Sequence, residues 1–362
     1  QCFGGHERWR DALAKGAFAD RPFFLYTNLG ITHESTLWGP AVSNPGAMEG
    51  RIRMEQDLPD ELRPDPARVR VPAYLPDTLE VRTDIARFYE ALAIMDQQAG
   101  RILEALEASG QKENTYVIFL SDHGRGLARE KRWLYAAGIH LSFLMAGPGI
   151  EAGSVSQRLV SWVDLAPTVL GLAGVEIPEK YEGTAFFGPA EGPERTCVFA
   201  GRDRMDETFD RCRAVRDRDF HYIRNDYPQL PWMPNHHYMN FMSTTWVMRT
   251  LHAQNQLPPE VAQFMAPAKP AEELYDPVAD PDMVRNLAGD PQYTDVLKRM
   301  RKRLEAFQKE VLDLAEFSER ELIDRGILTD RLEEYRQRLK PLPEAFALGD
   351  HRMPVLEKPL DA

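Results

Sequence analysis

The sequence predicts an α/β protein, with a mostly parallel sheet flanked by helices and a smaller C-terminal α+β subdomain containing an antiparallel sheet. Three observations carry this. Apolar runs of strand length alternate with helical periodicity through the first half of the chain, the order that builds a parallel sheet covered by helices. After about Thr196 the pattern changes to short strands joined by a polar turn, which marks antiparallel pairing. The chain has 362 residues, 43% hydrophobic and 28% charged, enough for one large domain or a large and a small one.

Pro22 to Gly30 (PFFLYTNLG) reads as a strand buried on both faces, ending at Thr32-His33-Glu34. Trp38 to Asp77, rich in proline and charge, reads as a long irregular surface excursion. Asp84 to Ser109 places Ile85, Phe88, Leu92, Met95, Ile102 and Leu106 at helical spacing, with Gly110 as the stop. Thr115 to Leu120 (TYVIFL) is β-branched and aromatic and reads as a buried strand delivering Ser121-Asp122-His123-Gly124. Leu141 to Met145 is a further strand, closed by Gly147-Pro148-Gly149. Asp164 opens a helix to about Ala173, with Pro167 tolerated in its first turn. Cys212 to Asn225 reads as a hairpin around Asp217-Arg218-Asp219. Trp232 to Met248 shows no clean period, and Tyr293 to Ala315 and Ser318 to Arg338 read as charged helices.

A net charge of -12 argues against nucleic acid, which wants a basic face, yet leaves room for a small anionic substrate held by a local cluster of cations. No apolar run approaches the ~20 residues of a membrane span, so no membrane partner is expected. Gln1 to Arg10 shows no signal-peptide pattern, which says little if the chain starts in mid-protein. Cys2, Cys197 and Cys212 form neither a metal pattern nor a disulfide framework. Cys197 and Cys212 read as free thiols sooner than as a pair.

Chemistry in such sheets collects at the carboxyl ends of strands, where His33 and Asp122-His123 stand. A carboxylate beside a neutral imidazole suits a divalent cation, although the tripeptide is equally an ordinary strand-ending turn. Lys131, in Arg129-Glu130-Lys131-Arg132, is able to reach back as a point charge for an anion. In a charged run it is ordinarily solvated surface. His33 and His140 face the same discount as structural histidines.

The stretch VIFLSDHGRGLAREKRWLYAAGI resembles the second metal-ligand motif of the sulfatases, members of the alkaline-phosphatase superfamily. PFFLYTNLGITH, TDIARFYEALAIMDQQAGRILEALEASG and SWVDLAPTVLGLAG resemble the flanking family segments in the same order. GRDRMDETFDRCRAVRDRDFHYIRN and EELYDPVADPDMVRNLA resemble its C-terminal hairpin and Leu-Tyr-Asp segment. The nearest flavour is the sulfamidase-like (heparan N-sulfatase-like) group.

That resemblance implies an alkaline-phosphatase-like fold and hydrolysis of sulfate esters or N-sulfo groups, on a sulfated sugar. It implies Asp122 and His123 as ligands of one divalent metal, calcium first, with magnesium or manganese as alternatives. Lys131 and His33 would bind the sulfuryl group and assist the leaving oxygen, all four facing one cleft. His140, and the Arg202, Arg204 and Asp206 of the GRDRMDE patch, would contact substrate. Residues 1–195 would be the C-terminal part of the catalytic domain, 196–345 the smaller α+β subdomain, and 346–362 a tail. An exported or periplasmic location is inclined to by the resemblance alone.

The sequence departs from the family at His140, where an arginine is usual, at Ala136, where an acid is usual, and at Glu34-Ser35 after His33. No Cys/Ser-x-Pro/Ala-x-Arg motif, the source of the formylglycine nucleophile, occurs around any cysteine, and the expected Asp-Asp pair is missing. The chain therefore reads as the C-terminal two-thirds of a longer enzyme whose N-terminal segment is its natural partner, and by itself it is expected to be inactive. Two other readings stay open: a phosphodiester or phosphonate-ester hydrolase of the same superfamily, and a non-catalytic relative that binds sulfated glycans.

Overall fold

Thr78 accepts a hydrogen bond from the Val81 N–H and opens helix α1, Leu79–Ala108, which ends where Gly110 takes a positive φ of 73°. The helix starts earlier than its apolar spacing marked, because the cap lies upstream of the first core residues. The computed structural model describes residues 13, 15–16, 21–37, 58–205, 207–236 and 238–328. The chain divides into two compact units, Gln1–Phe307 and Gln308–Ala362. Among the described residues no helix is long and apolar enough to cross a membrane.

In the first unit α1 buries Val81, Ile85, Ala91 and Ile94. It also buries Asp84, which accepts from the Thr244 N–H at 2.8 Å and the Thr244 hydroxyl at 2.7 Å. Those two bonds moor the start of a helix the sequence pattern did not reveal, Ser243–Ala253. Its buried positions include Thr244, Thr245 and Met248. Two of the three are polar, so no apolar stripe announces it.

Strand β1, Val117–Leu120, pairs with β2, Phe143–Ala146, in antiparallel register from Val117↔Ala146 to Leu120↔Phe143. The expected sense was parallel. The connection carries only the four-residue helix Ala136–Ile139, and without a full crossover helix the chain folds straight back. Pro22 to Leu29 makes no ladder among the described residues. Phe24 and Tyr26 are 75% and 78% exposed, so this run is covered on one face, not two.

The second sheet is antiparallel as expected: β3 (Val198–Arg202), β4 (Cys212–Arg216), β5 (His221–Asn225) and β6 (Glu272–Tyr275), side by side in that order. In the β4–β5 turn the Asp217 carboxylate accepts from the N–H groups of Asp219 and Phe220. Alternation sends Val215, Tyr222 and Leu274 into a core with Leu297, Met300 and Leu304. Cys212, Ala214, Ile223 and Tyr275 face the main core instead. Cys197 and Cys212 are free thiols.

The helix Leu165–Leu172 is entered through buried Asp164, whose carboxylate accepts from the Ser161 and Thr184 N–H groups and from Arg195. Burial pushes this carboxyl upward, but those donors outweigh it and hold it below the usual range. In the second unit, Ser318 and Glu321 form a reciprocal capping box on the helix Glu319–Asp324.

Candidate active site

The loop from Ser121 to Tyr135 is an interior structure, although its sequence is crowded with charge. Leu127 and Ala128 are fully buried, and Arg129 and Glu130 are 2% and 1% exposed. Each charge has a partner. Glu130 accepts from Arg125 Nε and Nη2, both at 2.6 Å, and from the Tyr74 hydroxyl at 3.0 Å. Arg129 stacks over Tyr135 at 3.7 Å and Tyr74 at 4.9 Å, and donates to the carbonyls of Asp282 and Met283. The far end is tied down by Glu273, which accepts from Tyr135 Oη, Tyr275 Oη and Asn225 Nδ2 at 2.8, 2.6 and 2.6 Å. A run that reads as solvated surface is thus a pinned cassette.

At its start the loop leaves β1 with Asp122 and His123 at the strand end. Asp122 is 83% exposed at the side chain and His123 38%, an open edge. The His123 Nδ1 lies 2.8 Å from the Gly124 carbonyl, which can only accept, so Nδ1 carries the proton. In the neutral ring Nε2 then holds a lone pair, 3.4 Å from Asp122 Oδ2. Two lone pairs facing each other repel unless a cation, or a proton on the ring, sits between them. The donor chemistry fits a divalent cation as two ligands of a larger set. Among the described residues there is no group of three or more His, Cys, Asp or Glu able to hold one.

His33 lies within electrostatic reach of Lys131, His123 and Asp122. The His33 ring is pushed below its ordinary pKa by burial and by the Lys131 charge, with His123 adding to this while Glu34 and Asp122 oppose it. Its Nδ1 accepts the Ser35 N–H at 3.2 Å, so the neutral ring carries its proton on Nε2. Lys131 donates to Glu34 Oε1 at 2.6 Å, and Arg132 grips the same carboxylate with two N–H groups at 2.8 and 2.9 Å. Glu34 is 3% exposed. Burial alone would raise its pKa, but Arg132 and Lys131 together hold it below the ordinary range.

Residues 7–175 match the family model described as Sulfatase. The ulvan-active sulfatase of Formosa agariphila is 35% identical over 326 residues, covering 84% of this chain and 54% of that protein. Residues 7–175 are a sulfatase-family domain. Human N-sulphoglucosamine sulphohydrolase is 28% identical over 315 residues, 81% of this chain and 62% of that enzyme. The chain thus spans little more than half the length of these curated relatives. A structure solved with its substrate D-glucosamine-2-N,6-O-disulfate is 20% identical, with a TM-score of 0.50, over 86% of this chain and 64% of that one. The fold is accordingly α/β and alkaline-phosphatase-like.

Four of the sequence-derived site residues, Asp122, His123, His33 and Lys131, are electrostatic neighbours. His140 is not among them: its pKa is lowered by burial and by Arg216. Arg202, expected to contact substrate, lies on the inner face of β3. It is 8% exposed, turned inward beside Asp210 at 3.7 Å and over the Trp133 ring at 5.3 Å. Its place at the end of β3 points it to the core side of the sheet. Arg204 lies over Phe209 at 5.9 Å. Asp206 falls outside the described residues. Sequence reasoning missed Glu34 and Arg132. The available signal was charge balance, since a run with three cations and one acid must find another carboxylate when it is buried.

Gly124 explains why this turn is so tight. A Cβ there would stand 1.9 Å from the Ala137 carbonyl oxygen, and the Gly124 N–H donates to Gly138 O at 3.0 Å. Gly124→Ala should force the 124 and 137–138 backbones apart and cost about 1–3 kcal/mol. Urea denaturation read by tryptophan fluorescence checks this, and an unchanged midpoint would mean the two segments are not in contact.

Proposed function

We propose that this chain carries the anion-binding and leaving-group side of a sulfuric-ester hydrolase site acting on sulfated sugars. The observation that carries the reading is that Lys131, Asp122 and His123 are all electrostatic neighbours of His33, with Asp122 and His123 at the end of β1. Lys131 supplies a fixed positive charge for a sulfuryl oxygen, and His33, neutral with its N–H on Nε2, offers a hydrogen bond to the charge that grows on the departing sugar oxygen. Asp122 and His123 would hold a divalent cation, calcium by preference for an oxygen-rich set. Such a cation, when bound, polarises the sulfuryl oxygens. The buried Cys212 thiol is raised in pKa by burial first, then by Asp210, and is not poised as a nucleophile. Relatives named for ulvan, for N-sulphoglucosamine and for a disulfated glucosamine support a sulfated sugar as the substrate class.

The test is an assay of the full-length gene product with 4-nitrophenyl sulfate, D-glucosamine-2-N,6-O-disulfate and a phosphonate monoester, with and without added calcium. Sulfate release that is lost on chelation and restored by calcium is expected. Turnover of the phosphonate ester without any sulfate release would overturn the reading.

A further inference from the structure

We infer that Glu34 and Arg132 form a neutral clamp that positions Lys131 while leaving its positive charge uncompensated for an anion. The inference deepens the reading above and rests on it for the anion's identity. The geometry of the clamp is two-sided. Arg132 meets Glu34 fork to fork, Nη1 to Oε2 at 2.9 Å and Nη2 to Oε1 at 2.8 Å, while Lys131 Nζ adds to Oε1 at 2.6 Å. Side-chain exposures are 3% for Glu34, 4% for Arg132 and 14% for Lys131, so water screens the cluster little.

A Lys–Glu pair alone would cancel the lysine's charge and serve an anion poorly. With Arg132 consuming the carboxylate's charge, the three groups sum to one positive charge, and it resides on the most exposed of them. Lys131 gives Glu34 one of its three N–H groups and so fixes its direction.

Two further observations show that the arrangement is imposed on the backbone. Arg132 sits at φ 83°, a left-handed conformation that a non-glycine residue adopts only when its surroundings require it. Gly126 leaves the room for Glu34: a Cβ there would stand 2.4 Å from Glu34 Cβ. Glu34 and Arg132 are therefore positioning residues that act through Lys131.

The experiment compares the full-length gene product with its Glu34→Gln, Arg132→Gln and double variants, using inorganic sulfate as the probe. Two readouts are taken: the Lys131 side-chain ammonium signal by nitrogen-detected NMR, and sulfate affinity by titration calorimetry. Glu34→Gln should weaken or abolish the Lys131 signal, because the ammonium loses its anchor. Arg132→Gln should keep the signal but lower sulfate affinity about tenfold, since Glu34 now neutralises Lys131. The double variant should regain affinity to within about threefold of the parent, a rescue that a merely structural pair would not give.

A Lys131 signal unchanged in Glu34→Gln, or a double variant no better than Arg132→Gln, overturns the clamp. If the signals follow the expected pattern while no version of the chain binds sulfate, positioning stands. In that case the sulfate reading of the site, and the charge assigned to it, fall.

Discussion

Lys131→Met in the full-length gene product should lower kcat/KM for a sulfate monoester by about 10² to 10³, the usual loss when one preorganised donor to a developing oxyanion is removed. Methionine keeps the stem that packs among the buried neighbours and deletes only the charge. The loss should appear in kcat as well as KM, because charge on the sulfuryl oxygens and the leaving oxygen grows toward the transition state. Lys131→Arg should not restore the rate. A planar fork beside Arg132 cannot copy a compact ammonium seated on one Glu34 oxygen. Steady-state kinetics of the three proteins decide this. A change confined to KM would reduce Lys131 to a ground-state contact.

The second large effect is on stability in acid. His221 is fully buried on β5, directly opposite Arg216 of β4, and among the described residues neither of its ring nitrogens nor Arg216 Nη1 has a hydrogen-bond partner. Burial first, then the Arg216 charge, pushes the His221 pKa from 6.5 to about 3. His140 adds to this, and the Leu134 backbone opposes it without reaching hydrogen-bond geometry. The sign follows from linkage. The folded ring resists a proton that the unfolded chain accepts at 6.5, so its contribution is complete above that pH and is lost as pH falls toward about 3.

The slope is about 1.4 kcal/mol per pH unit for one proton. Between pH 6.5 and 4 the parent should therefore lose about 3 kcal/mol more than His221→Leu, whose leucine also fills the apolar side of the ring's site. Urea unfolding at several pH values measures the difference. Parallel stability curves for the two proteins would show that His221 is solvated or paired in solution.

Much of the fold is written locally. The hairpin Cys212–Asn225 follows from alternation around an aspartate-rich turn. The long helix follows from apolar spacing closed by Gly110, and β1 from a β-branched run. These patterns are legible because each depends on neighbours a few residues away. The helix Ser243–Ala253 was not legible, since its buried Thr244 is satisfied by Asp84, a residue far back along the chain. Strand sense was misread for a related reason: direction depends on whether the connection crosses the sheet, and the β1–β2 connection does not.

The candidate site divides along the same line. By itself the sequence determined that Asp122 and His123 stand at the end of β1, and that a lysine follows nine positions after the carboxylate. Only the tertiary structure decided that the charged run is interior, that Arg202 turns inward, and that Lys131 leans on Glu34. The partners in that last contact are 97 residues apart. Hydrophobic periodicity is a property of one segment and survives in the sequence. Charge pairing in a water-poor interior is a property of two segments brought together, and its strength comes from the burial that only folding creates.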